Sequence, residues 1–327
     1  MKKNLLIFLT FICLNVFAQS TSFEIVEEMG RGINLGNVLS APTEGNWAFS
    51  VYEEYFEQVK DEGFSNVRIP VDFFGGSFLN ADYTVNGNER TLSNLSNCEG
   101  NSCFSELAGT QNQYDGSLDD YYVNPLYLDR IQQIVDWSIS KGLVTIIDFH
   151  GAKLKEKFLY TFDQSDINGV NYYSDPTSAK RIADLNKFKA IWRDIAERFK
   201  DYPETLLFEV FNEPYFWLSA NEISTISSDI INIVRSSGSN NESRKIIVTG
   251  GDTNSWEVIF QIPNDLINSD PNLIATFHYY QPMSFTSSMQ ENNNNFNLSQ
   301  NAKNQITQRF SQINSWSVSY THLTLPT

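Results

Sequence analysis

The chain has 327 residues, 41% of them hydrophobic, with 39 acids against 23 bases and a formal charge of -16. Such a surface repels nucleic acid and anionic lipid, which excludes both as partners and suits a neutral substrate. The length allows one large α/β barrel or two ordinary domains; no Pro/Gly/Ser linker or internal repeat divides it, so one domain is expected.

In chain order, residues 1–18 come first and read as a signal peptide. Lys2 and Lys3 are followed by an apolar run from Leu5 to Phe17 and a small-residue cleavage pattern at Val16-Phe17-Ala18. The run is too short to span a bilayer, so the expectation is an exported protein, secreted or periplasmic. Losing Lys2 and Lys3 leaves 21 bases facing 39 acids.

Six short runs rich in β-branched or aromatic residues then read as strands buried on both faces. They are "GINLGNV" (32–38), "NVRIPV" (66–71), "VTIIDFH" (144–150), "LLFEVFN" (206–212), "KIIVTGG" (245–251) and "LIATFHYY" (273–280). Helical segments lie between them: "YEEYFEQVKDEG" before the second, "YLDRIQQIVDWSISKG" before the third, "FKAIWRDIAERFKDYP" before the fourth and "DIINIVRSSG" before the fifth. Gly63 and Gly142 sit where a helix must stop before the next strand. Long polar connections follow the second strand (roughly 75–123) and the third (152–180), and loops of that length are often functional walls. The first of them holds Cys98 and Cys103 in "NCEGNSC"; an exported chain favours a small-loop disulfide there over a metal clip.

Alternating strand and helix implies a parallel sheet with right-handed crossovers, as an open doubly wound sheet or a (β/α)8 TIM barrel. No G-x-G-x-x-G follows the first strand, so no dinucleotide site is indicated. Polar side chains stand instead toward the C-terminal ends of nearly all the strands: Asn37, Arg68, His150, Asn212 with Glu213, and His278 with Tyr280. In a barrel those ends converge on one rim, where chemistry is found, and the barrel is the expected fold.

The segment "LLFEVFNEP" carries two carboxyls, Glu209 and Glu213, in one apolar run. Positions four apart share a face of a strand, so both point inward with Glu213 one layer higher, at the rim. A half-buried carboxyl has its charged form disfavoured, which suits a general acid. Glu209 reads as an interior carboxylate paired with a buried cation or hydroxyl. Arg68 would either hold a catalytic carboxylate ionised or pair with Glu209, and both roles fit one network. Three histidines in all, His322 among them in the tail, are too few for a metallohydrolase cluster, so neither metal nor cofactor is expected. Trp47, Phe73, Phe74, Trp217, Trp256, Tyr279 and Tyr280 lie in or just after strand ends; as a group they suit stacking on sugar rings, with Trp47 and Trp256 the candidates nearest that role.

Together the stretches "RGINLGNVLSAPTEGNW", "GFSNVRIPVDF", "VTIIDFHG", "YPETLLFEVFNEP" and "LIATFHYYQPMSFT", collinear from about residue 23 to 316, resemble glycoside hydrolase family 5, the cellulase (endo-β-1,4-glucanase) family. The resemblance implies a (β/α)8 barrel that cleaves β-linked glycans with retention. It makes Glu213 the general acid/base, Asn212 a sugar-binding residue beside the scissile bond and Arg68 the support of the nucleophile. His150, His278 and Tyr280 would line the site, and Asn37 would reach the substrate. Gly151, Ser40, Ser287 and Ser288 depart from the family's pattern at subsite positions, which leaves the backbone open among glucan, mannan, xyloglucan and mixed-linkage glucan.

Retention needs two carboxyls about 5 to 5.5 Å apart, and in this family the second ends the seventh barrel strand. After the helix "NQITQRFSQINSWS" (304–317) stands "VSYTHLTLPT" (318–327), without Glu or Asp. The expectation is therefore a catalytic barrel over 19–317, a non-native tail over 318–327, and a chain lacking the seventh and eighth strands and the nucleophile, hence inactive as it stands. The expected protein is a monomeric, secreted retaining endoglucanase acting on neutral β-glycan. The rival of another class is a glycan-binding barrel without catalysis, against which the Asn212-Glu213 pair speaks.

Overall fold

The computed structural model describes residues 20–73, 117–150, 179–214, 218–251, 255–282 and 299–318, apart from 37, 42, 43, 46 and 124 within them, together with 83–86, 89–92 and 286. The signal segment, the Cys98–Cys103 pairing, Asn37, Gly151, Trp217, Ser287, Ser288 and the tail beyond 318 lie outside the described residues.

Six strands form one parallel sheet in chain order: β1 (Gly32–Asn34), β2 (Asn66–Val71), β5 (Val144–Phe149), β6 (Leu206–Glu209), β7 (Ile246–Val248) and β8 (Leu273–Ala275). Helices occupy the crossovers: α2 (Glu53–Asp61), α3 (Pro125–Ser140), α4 (Ala179–Phe199), α5 (Ala220–Ser236) and the short α6 (Asn264–Ile267), with α7 (Gln300–Ser317) after β8. Strictly sequential parallel pairing is the order of a (β/α)8 barrel, and the described residues build six of its units.

Register sets which residues face inward. Asn34 pairs with Arg68, Arg68 with Ile146, and Ile146 with Leu207; Pro70 pairs with Asp148 and Asp148 with Glu209. The alternate positions Val67, Ile69, Val71, Ile147, Phe149, Phe208, Ile246 and Val248 face the helices, and with Phe188, Trp192, Ile230 and Val234 they form the main core. The interior is a smaller apolar plug of Val144, Ile146, Leu207, Ile247 and Ile274, completed by Ile25 and Met29. Those two come from α1 (Ser22–Met29), a helix the strand pattern did not predict. Its signal is local: Thr21 and Glu24 form a reciprocal capping box, and Ile25 and Met29, four apart, share the buried face.

Helix ends and close approaches follow from particular glycines. At Gly142 (φ 68°) the N–H donates to Ile139 and that of Leu143 to Ser138, a Schellman stop that needs left-handed backbone. Gly32 is required for space: a Cβ there would fall 2.0 Å from Asn66 Oδ1, whose amide donates to the Met29 carbonyl at 2.7 Å.

Three expectations are corrected. The strands end earlier than the apolar runs, at residues 34, 149, 209, 248 and 275, because beyond these points only alternate bonds to a neighbour persist as the chain splays toward the rim. Asn212 N–H still donates to Phe149 at 2.9 Å and Thr276 N–H to Val248 at 2.9 Å. Arg68 is third of the six residues of β2, not at its end, and its long side chain carries the charge upward. The long connection after β2 contains an antiparallel hairpin, β3 (Tyr83–Asn86) with β4 (Glu89–Leu92), joined by the two residues Gly87-Asn88, a hairpin signal in the sequence that polar composition obscured.

Candidate active site at the barrel mouth

A cavity of about 570 Å³ opens at the C-terminal ends of the strands and runs down to α1. Its upper lining includes Arg68, His150, Glu209, Asn212, Glu213, His278 and Tyr280. Four separate segments, on or just after β2, β5, β6 and β8, thus deliver the residues singled out in the sequence to one place, Asn37 lying outside the described residues.

Arg68 is the hub. Its Nε and Nη2 grip Glu209 at 2.6 and 2.7 Å, Nη2 also donates to Asn212 Oδ1 at 2.9 Å and meets Asp148 Oδ2 at 2.9 Å, and Nη1 reaches Asn34 Oδ1 at 3.2 Å. Burial alone would pull the guanidinium down; the Asp148 and Glu209 carboxylates outweigh it and hold Arg68 above the ordinary arginine range. The grip on Glu209 is the bidentate fork that only arginine provides. Because Asn212 Oδ1 is taken by Arg68, its amide nitrogen is the group that it can offer to a ligand.

Glu213 is gripped from the β8 side of the mouth and adds its charge to those that hold Arg68. His278 Nδ1 lies 2.6 Å from Glu213 Oε1, and Tyr280 Oη donates to the same oxygen. The two donors come from the extended chain after β8, where positions 278 and 280 share one face, while Phe277 and Tyr279 contact Phe310 of α7. Asn212 and Glu213, adjacent in sequence, both line the cavity because strand geometry has already given way to a bend at residue 212.

Two residues that the sequence reading passed over belong to the site. Asp148, fully buried, binds Arg68 and also His150, whose Nδ1 is 2.9 Å from Asp148 Oδ2; its signal was an acid two positions before His150 in an otherwise apolar strand. Asn34 holds Arg68 from β1. The aromatic candidates divide. Trp47 is 53% exposed on the loop after β1 and outside the cavity lining. Trp256 is 9% exposed and edge-on to Phe260 in a 3-10 turn (Trp256–Gln261) that folds back into the main core beside Ile259, so the structure does not bring it to the mouth. Among the described residues no group of three His, Cys, Asp or Glu side chains is placed to hold a metal, and no helix is long and apolar enough to cross a membrane.

Fold and mouth together define a (β/α)8 barrel with a carboxyl-centred site at its strand ends. The chain belongs to the cellulase family, glycosyl hydrolase family 5, whose profile matches residues 26–320. Over 265 residues it is 35% identical to Endoglucanase H of Acetivibrio thermocellus, covering 81% of this chain and 22% of that protein. Over 297 residues it is 28% identical to Endoglucanase A of Paenibacillus barcinonensis, covering 84% of this chain and 61% of that protein. It therefore spans less than two thirds of the length of either relative. A solved structure described as an endoglucanase superposes with a TM-score of 0.65 at 25% identity, over 93% of this chain and 79% of that one.

Proposed function

We propose that this barrel is the catalytic module of an exported, retaining endo-β-1,4-glucanase. The observation that carries the reading is the division of labour among carboxyls at the mouth. Asp148 and Glu209 are spent on Arg68, whereas Glu213 is held by a histidine and a tyrosine at the rim. A rim carboxyl oriented by two ring-borne donors is suited to exchange a proton with a glycosidic oxygen.

In the proposed reaction Glu213 protonates the leaving oxygen while a second carboxyl attacks the anomeric carbon, forming a glycosyl-enzyme. Glu213 then takes a proton from the water that releases the sugar. The Asn212 amide binds a hydroxyl of the sugar beside the scissile bond, and Arg68 keeps the mouth's inner wall fixed. Among the described residues Asp148 and Glu209, the other carboxylates of the mouth, are gripped by Arg68, and neither is assigned as the nucleophile. The names of the relatives, both endoglucanases, support a glucan backbone over mannan.

The test compares hydrolysis of carboxymethylcellulose by the protein and by its Glu213→Gln variant. Turnover abolished by E213Q with glycan binding kept is the expected result. An unaltered rate in E213Q would refute the acid/base role, and binding without turnover in every form would favour a glycan-binding barrel.

A further inference from the structure

Arg68 and His150 meet on a single atom. Asp148 Oδ2 is 2.9 Å from Arg68 Nη2 and 2.9 Å from His150 Nδ1, whereas Asp148 Oδ1 is buried and has no hydrogen-bond partner among the described residues. Asp148 and His150 lie two apart on the chain, so both face inward, and only His150 reaches the cavity lining. Facing a guanidinium, Asp148 is a carboxylate, and a carboxylate only accepts hydrogen bonds. The His150 proton must then sit on Nδ1, which leaves Nε2 as the acceptor of the ring.

We propose that Asp148 is a positioning residue: through one oxygen shared with Arg68 it locks His150 in the Nδ1–H tautomer and aims Nε2, as an acceptor, at a hydroxyl of the bound glycan. The aim at a glycan rests on the function proposed above; the lock does not. Among the described residues of the mouth Arg68 and Asn212 present donors and His278 is taken by Glu213, so His150 is the neutral imidazole acceptor there. Without the lock the imidazole reverts toward the Nε2–H form that free histidine prefers and shows the ligand a donor instead.

The shared oxygen makes two substitutions diverge. In Asp148→Asn the amide oxygen takes the Oδ2 place, where Arg68 donates, and the lock survives. In Asp148→Ala the acceptor is gone, while Arg68 keeps its bidentate partner Glu209, so the fold is retained. The experiment is nitrogen-15 NMR of the imidazoles in the whole chain near neutral pH, with His150 assigned through His150→Gln, alongside calorimetric titration with cellotetraose.

The expected result is a protonated Nδ1 and bare Nε2 in the wild type and in D148N, and a shift to Nε2–H in D148A. The cellotetraose Kd should rise roughly two- to tenfold in D148A, the loss of one neutral hydrogen bond, and be largely restored in D148N. A wild type with Nε2–H, or a D148A chain with its tautomer unchanged, overturns the proposal. A lost lock with no change in affinity overturns the aim at the glycan. Absence of any cellotetraose binding by the wild type would instead sink the glucanase reading, with the lock still decided by the NMR.

Discussion

Replacing Arg68 by methionine keeps the length of the side chain and removes the one positive charge between two buried carboxylates. Asp148 is 0% and Glu209 4% exposed in their side chains, against 15% for Arg68. At an effective dielectric near 20, a pair of unit charges about 4 Å apart is worth on the order of 4 kcal/mol, so the two contacts represent a gross attraction of about 8 kcal/mol, much of it offset by desolvation. Removing one partner of a buried pair leaves the other uncompensated and costs about 3–5 kcal/mol. Arg68→Met should therefore lose about 3–5 kcal/mol near pH 7, a large share of the roughly 5–15 kcal/mol that holds a domain. Arg68→Lys, which keeps the charge and loses the fork, should lose less.

A double substitution separates this account from simple loss of packing. Adding Glu209→Gln to the methionine variant should recover part of the loss, because the two positions are coupled. Urea denaturation followed by tryptophan fluorescence near pH 7 measures both. A methionine variant within about 1 kcal/mol of wild type near neutrality, or no recovery in the double variant, would refute the reasoning.

Three further outcomes are expected. Gly32→Ala forces the Asn66 amide off the Met29 carbonyl and should cost about 1–3 kcal/mol in urea midpoint experiments, with a less than additive loss when combined with Asn66→Ala. Arg244 is 1% exposed and donates to Asn241 Oδ1 and to the carbonyls of Phe199, Tyr202, Pro203 and Leu206; lysine has three donors and no planar fork, so Arg244→Lys should destabilise by about 2–4 kcal/mol, read by thermal or urea unfolding. Tyr202 has its pKa pushed up to about 12, first by burial and then by its hydrogen bond to Asp136. Its contribution is whole below the ordinary value of 10.0 and is lost as pH rises toward about 12, so Tyr202→Phe should flatten the alkaline fall in stability relative to wild type.

Strand identity and barrel order were legible because a parallel sheet covered on both faces writes its strands as unbroken apolar runs, and because polar residues toward the ends of those runs stand out against them. The same habit hid Asp148. An acid one layer below the strand ends, inside "VTIIDFH", reads as an exception until the Arg68 side chain is seen to reach it across the barrel interior. The pairing of Glu209 with Arg68 was one of two roles that the sequence left open for Arg68, the other being support of a catalytic carboxylate. Trp256 misled for the opposite reason. Proximity to a strand end was read as access to the mouth, yet the apolar neighbours Val258 and Ile259 turn that segment back into the core. Helix α1 was missed because an eight-residue helix has little periodicity to show, although Thr21 and Glu24 announced its start.

The position of α1 explains how the mouth is held from beneath. Asn66 donates to the last carbonyl of α1, that of Met29, and Arg68 is the next inward residue of the same strand. From Arg68 the hydrogen bonds spread to Asn34 on β1, to Glu209 and Asn212 at the end of β6, and through Asp148 on β5 to His150. Four strands are thus joined by one network of polar side chains inside an apolar barrel, and Asn66 ties the strand that carries Arg68 to the helix at the base. A change at Asn66 is therefore passed along β2 to the guanidinium on which the mouth is built. On this ground the Gly32→Ala variant, far below the rim, should disturb His150 and Asn212 as well as stability. Glu213, held separately by His278 and Tyr280 from the β8 side, should keep its two partners in the same variant.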